Sequence, residues 1–476
     1  MKWTSLIAGS PAACAAGVFP HQAVYAICFG GTNMVETSLA ELSIARSAMS
    51  KASWHILPML GLGYLIATID RFNVSFAATR MNADLGFSAT VYGFGSGLFF
   101  LSYALFEVPS GLCVARFTAR RWIARIMISW GLLAAGMMFV RTPFQFYVMR
   151  LLLGMAEAGF FPCALYCVSN WFPLAYRGRA TSRVYACGGL ARMVMGVISG
   201  WLLNLDGRAG LRGWQWLFLA EGLPAIILGI VILRFLPHSP ADTSWLTEPE
   251  REWIERELTR EAASAGVPAE HHILTALRNP LVLQLAAVGC LTIGSSVAFL
   301  LFLPAILSAD TGLDIRHVGY LTSVGGMLDF VGMLACGWYS DRVRERFAIM
   351  LAAMLLVAAG FLAMGLSTSP VLSVAGYFAI AFLWPAVTLS NFVICTEVVP
   401  PRMAGVAVAA MNTLCQLGAF VGPWLWGISK DRTGTYHLGL MLVPLAFVAA
   451  MAVTLNLRHQ LRAKLRLSRA AALAGI

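Results

Sequence analysis

Twelve apolar runs of about 20 residues each divide this chain. They fall at 57–79, 92–114, 122–140, 145–170, 182–204, 214–236, 281–306, 317–339, 347–366, 371–394, 404–428 and 435–457. A helix of that length spans the hydrocarbon core of a bilayer. Backbone in lipid must satisfy its own hydrogen bonds, which leaves helices or closed barrels, and these runs are too long for barrel strands. The expected fold is an all-α membrane protein with twelve transmembrane helices. Of 476 residues, 59% are apolar and only 12% charged, against about 25% charged in soluble domains. That balance excludes a soluble enzyme, a disordered chain and a nucleic-acid-binding domain as first readings. The ten cysteines contain no Cys-x-x-Cys pair, and the eight histidines show no metal-ligand spacing. No Gly-rich nucleotide loop occurs, so neither a metal, a cofactor nor ATP drive is expected.

The runs divide six and six about residues 237–280, which hold the densest acidic stretch, "LPHSPADTSWLTEPEREWIERELTREAASAG". Thr247 followed by Glu248-Pro249-Glu250 predicts the start of a short surface helix. The expected units are two six-helix bundles at 52–236 and 281–457, a linker at 237–280 and a basic tail at 458–476. Residues 1–51 are expected as a poorly ordered extension; a start at or near Met49 is a second reading. The loops after spans 2, 4, 8 and 10, with the tail, carry sixteen arginines and lysines, including Arg116, Arg120, Arg177 and Arg342; the opposite loops carry seven. The positive-inside rule then places both termini and the linker in the cytoplasm of a cell membrane.

Charge inside a span is costly and survives where it faces a partner, a cavity or a substrate path. Asp70, Arg71, Glu107, Arg150, Glu157, Arg192 and Asp329 lie inside spans, and Glu221 and Glu397 near span ends. Arg150 and Glu157 are seven apart, nearly two turns, and share a face. Asp70 and Arg71 are adjacent, so they point about 100° apart. Two basic and two acidic groups are thus available to line one cavity. Arginine grips a carboxylate with its planar fork, and burial disfavours a charged carboxyl, so proton entry and anion entry can be coupled. Interhelical salt bridges that only pin the bundle are the competing reading. Glu107 is placed to face Arg116 or Arg177 at a gate, or substrate. Arg192 is placed to compensate Glu107 or Glu157. Asn412 and Gln416 share a face of span 11, suited to a polyol or carboxylate or to helix-to-helix contact. Trp384-Pro385 marks a kink, with Trp384 able to stack on a ring.

Several segments together resemble the anion:cation symporter family of the major facilitator superfamily. They are "ATIDRFNVSFAATRMNADLGFS" (67–88), "GLFFLSYALFEVPSG" (97–111), "ARFTARRWIARIMISWG" (115–131), "RLLLGMAEAGFFP" (150–162), "GLRGWQWLFLAEGLPA" (210–225) and "GWYSDRVRER" (337–346). The resemblance covers about residues 52–460. It implies two pseudo-symmetric bundles that rock about a central cavity, and a secondary active transporter rather than an enzyme. It implies proton-coupled uptake of a small organic anion, such as phthalate, tartrate or a sugar acid. An exporter of organic anions or metabolites is the alternative. It assigns Arg71 and Arg150 to the carboxylate, Asp70 and Glu157 to the proton, and Asn412 to substrate contact. Its loop motifs place Arg116, Asp341 and Arg342 with Glu107 at a gate. A monomer in a bacterial inner membrane is expected, with the bilayer, the anion and the proton as its partners. The sequence departs from the family pattern at Ala115, Thr118 and Gly325-Gly326, and Arg192 is not expected at its position.

Overall fold

The computed structural model describes residues 32–264, 278–343, 345–367, 369–399 and 403–473. Among them are twelve helical segments long and apolar enough to cross a membrane. The first half comprises α1 (Thr32–Leu85), α2 (Ala89–Phe117), α3 (Ala119–Gly136), α4 (Pro143–Glu157), α5 (Phe160–Trp171), α6 (Leu174–Leu203) and α7 (Gly213–Phe235). The linker carries α8 (Glu248–Ser264). The second half comprises α9 (Pro280–Thr311), α10 (Ile315–Val343), α11 (Arg346–Leu366), α12 (Pro370–Val398), α13 (Ala404–Thr433) and α14 (His437–Leu473).

Local sequence sets the helix ends. Thr142 and Gln145 form a reciprocal capping box at the start of α4, with Pro143 in the first turn. Asn279 caps α9 by accepting from the Leu281 amide at 3.0 Å, again ahead of a proline. The fourth span, expected as one helix over 145–170, is two. Gly159 sits at φ +91 between α4 and α5. A β-carbon there would stand 2.1 Å from Ser110 Oγ, so both backbone conformation and space demand glycine. The break leaves Glu157 as the last residue of α4. Thr118, where the family pattern has glycine, adopts φ +70 between α2 and α3, a conformation that strains a β-branched residue.

The first helix also departs from expectation. Residues 41–51 are not a loose extension, because Ala45, Ala48 and Met49 are buried. Ser47 Oγ and Lys51 Nζ donate to Glu250 at 2.6 and 2.8 Å, which ties α1 to α8. Glu250 also accepts from the Thr247 amide at 2.8 Å, capping α8 as the sequence predicts. Burial alone would raise the Glu250 carboxyl, but Lys51, Ser47 and Thr247 outweigh it and hold it down at about 2. Trp245 stacks on His55 at 4.2 Å, and Arg177 reaches Glu261 at 3.1 Å. Residues 1–31 and the linker stretch 265–277 lie outside the described residues.

The halves meet chiefly through α2 with α13, α6 with α10, and α1 with α9. These contacts are tightest on the face opposite the linker. A β-carbon on Gly93 would lie 2.2 Å from the Pro423 carbonyl oxygen, and one on Gly196 2.3 Å from that of Gly319. Asp431 accepts from the Ala89 and Thr90 amides at 3.0 and 2.8 Å, tying α13 to the start of α2. Small residues allow such backbone approach where helices meet in lipid.

Candidate functional site

Helix α1 contributes Asp70, Arg71 and Asn73; α4 contributes Arg150 and Glu157; α7 contributes Glu221. Arg71 Nη2 donates to Glu157 Oε1 in an ion pair that joins α1 to the break after α4. The Arg71 guanidinium also lies 4.8 Å from the Tyr103 ring centre. Asp70 is 1% exposed and accepts from Asn73 Nδ2 at 3.2 Å. Glu221 is buried and accepts from Ser199 Oγ at 3.3 Å. Arg150 is 0% exposed; its guanidinium packs 4.8 Å from the Phe99 ring centre, and among the described residues none of its nitrogens meets a hydrogen-bond acceptor. One oxygen of each acid, Asp70 Oδ2, Glu157 Oε2 and Glu221 Oε2, likewise meets no donor in hydrogen-bonding geometry among the described residues.

Three buried carboxyls and two guanidiniums do not balance in a dry interior when all are ionised. The set is neutral with one proton held on an acid. A second proton leaves it positive and favours an anion.

Glu107 does not face Arg116 or Arg177. It accepts from Asn412 Nδ2 of the other half at 3.3 Å. Glu107 and Arg116 are nine residues apart, two and a half turns, and so emerge on opposite faces of α2; Arg116 is exposed. Arg177 is held by Glu261 and by the carbonyls of Phe172 and Ser169. Gln416 lies half-buried one turn beyond Asn412. Arg342 is exposed on the linker face, its guanidinium 5.2 Å from the Trp338 ring centre. The Asp341 side chain lies outside the described residues.

A cavity of about 300 Å³ opens between the halves. Both halves line it, with Tyr64 from α1, Arg192 from α6, Phe299 from α9, Asp329 from α10 and Trp384 from α12. Arg71 and Arg150 are not among its described lining residues. Arg192 pairs with Asp329 across the two halves, and not with Glu107 or Glu157. The sequence shows both charges but not their pairing. The available signal was depth, since α6 ends and α10 begins at the same face and both residues sit three to four turns in from it. Glu221 was visible only as a charge near a span end, without its hydrogen bond from Ser199.

A two-half, twelve-span bundle with buried charge beside a cavity between its halves defines a multi-pass membrane transporter. The Major Facilitator Superfamily matches over residues 60–423. A protein of Agrobacterium vitis named "Putative tartrate transporter" is 38% identical over 419 residues, 86% of this chain and 91% of that protein. The "Quinolone resistance transporter" of Acinetobacter baumannii is 33% identical over 87% of this chain and 95% of its own. Among solved structures, a bacterial homologue of the human lysosomal transporter Spinster superposes with a TM-score of 0.71 at 15% identity, over 85% of this chain and 96% of that one. The xylose transporter XylE from E. coli gives 0.66 at 14% identity, over 85% and 98%. The chain belongs to the major facilitator superfamily.

Proposed function

We propose that this transporter couples proton entry to uptake of a small organic carboxylate, with its termini and linker in the cytoplasm of a bacterial inner membrane. The carrying observation is the buried set of Asp70, Arg71, Arg150, Glu157 and Glu221, in which, among the described residues, three carboxyl oxygens lack a hydrogen-bond donor and one guanidinium lacks a hydrogen-bond acceptor. A proton on Asp70 or Glu157 supplies what such an oxygen lacks and unmasks positive charge on Arg71 and Arg150 for the carboxylate. Asn412 and Gln416 offer amides to substrate oxygens, and Trp384 offers a ring face in the cavity. The 38% relative named for tartrate supports a hydroxylated acid.

The test is uptake of labelled tartrate and phthalate into proteoliposomes under an imposed pH gradient. Accumulation abolished by an uncoupler is the expected result. Uptake indifferent to the gradient and to the uncoupler sinks the coupling. Export is the second reading, favoured by the 33% relative named for quinolone resistance; net efflux from loaded vesicles under the same gradient selects it.

A further inference from the structure

The Arg192–Asp329 pair is the least expected charge pair in the molecule. It sits at mid-span, joins opposite halves, and both members line the cavity between them. Only Arg192 Nη2 is engaged by Asp329, while Nε is buried without an acceptor among the described residues. The Arg192 side chain is 32% exposed, against 13% for Asp329. A guanidinium carries five donors and fits a carboxylate two at a time, so the pair uses a fraction of what Arg192 offers.

The helices cross closely at this level. A β-carbon on Gly326, three residues before Asp329, would lie 2.7 Å from the carbonyl carbon of Arg192. The surrounding wall carries several aromatic rings, among them Tyr64, Phe72, Phe299, Phe361, Tyr377 and Trp384. At about 300 Å³ the cavity is at the small end of ligand pockets, sized for one ring.

We propose that Arg192 is a carboxylate-binding residue of this cavity, and that Asp329 is a built-in stand-in for the substrate's carboxylate, which displaces it. The preferred ligand class is a single-ring aromatic acid, its ring against the aromatic wall and its carboxylate on Arg192. Because Asp329 belongs to the other half, its displacement removes the ionic tie between α6 and α10. Ligand arrival thereby loosens one of the contacts between the halves. This rests on the organic-anion reading above and adds to it a receiving residue and a latch. It needs no proton step.

The experiment is calorimetry on the full chain in nanodiscs, with benzoate, tartrate and uncharged benzyl alcohol as probes. Arg192→Gln should weaken benzoate about tenfold or more, as expected for losing a charged hydrogen bond, and leave benzyl alcohol unchanged. Asp329→Asn should tighten benzoate, because the competitor is gone. The charge-swapped double variant Arg192→Asp/Asp329→Arg should recover the melting temperature but not benzoate affinity. Benzoate affinity within twofold of wild type in Arg192→Gln overturns the proposal, as does full recovery of affinity in the swap. If Arg192→Gln does not fold, Asp329→Asn decides alone, and unchanged affinity there overturns it. Wild-type protein that binds neither acid refutes the organic-anion reading as well. Proton-driven uptake with binding independent of Arg192 refutes the latch alone.

Discussion

At Arg150 a buried guanidinium stands without a hydrogen-bond acceptor among the described residues. A fully buried cation with no acceptor on its nitrogens is costly to the folded state. Arg150→Met keeps the volume and removes the charge. Uptake is expected to be lost; uptake retained with a large fall in melting temperature would make Arg150 a structural cation. Glu157→Gln keeps shape but cannot exchange a proton, and it removes the ion pair to Arg71. Its uptake should become insensitive to the pH gradient, read as accumulation ratio against imposed pH difference. The charged candidates were legible because a charge in a run of apolar residues stands out whatever the helix phase. Their partners were not: Arg71–Glu157 and Arg192–Asp329 span 86 and 137 residues, and depth in the bundle is set by packing of whole spans.

At the scale of elements, the break between α4 and α5 is the feature the sequence concealed. Glycine is common in membrane helices, so Gly159 gave no cue that the chain turns there. Gly159→Ala should cost about 1–3 kcal/mol for the backbone conformation alone, beyond the clash with Ser110, read as a lower melting temperature. The linker helix was legible from its cap and acidic run, but its dock on α1 was not, because residues 41–51 look polar and unanchored in isolation. That dock depends on pH. Glu250 is held down at about 2, below the ordinary glutamate value of 4.5. Its contribution is present above the ordinary carboxyl range and is lost as pH falls from about 4.5 towards 2. Hydrogen exchange of α8 should stay slow at neutral pH and accelerate across that window. Glu250→Gln should show fast exchange at every pH; slow exchange in that variant would place the dock in the stacking of Trp245 and His55 instead.

For the whole molecule, the six-and-six division was readable from the spacing of apolar runs about an acidic linker, since span length follows bilayer thickness. Which face is sealed was not readable, because the seal depends on how the two halves pack and leaves no mark on the length or spacing of the spans. The seal rests on backbone approaches such as Gly196 to Gly319 and Gly93 to Pro423. A wedge at Gly196→Leu should part α6 from α10 and favour the state open on that face, seen as a longer spin-label distance between the halves there and a fall in uptake. An unchanged distance would place the seal elsewhere.

The central claim is that one buried charge set exchanges protons for a carboxylate. It is tested most directly by a pH dye outside proteoliposomes to which tartrate is added without any imposed gradient. Tartrate entry should draw protons in and raise the external pH, and the Asp70→Asn/Glu157→Gln double variant should abolish that signal. Tartrate entry at constant external pH in the unaltered protein would contradict the claim.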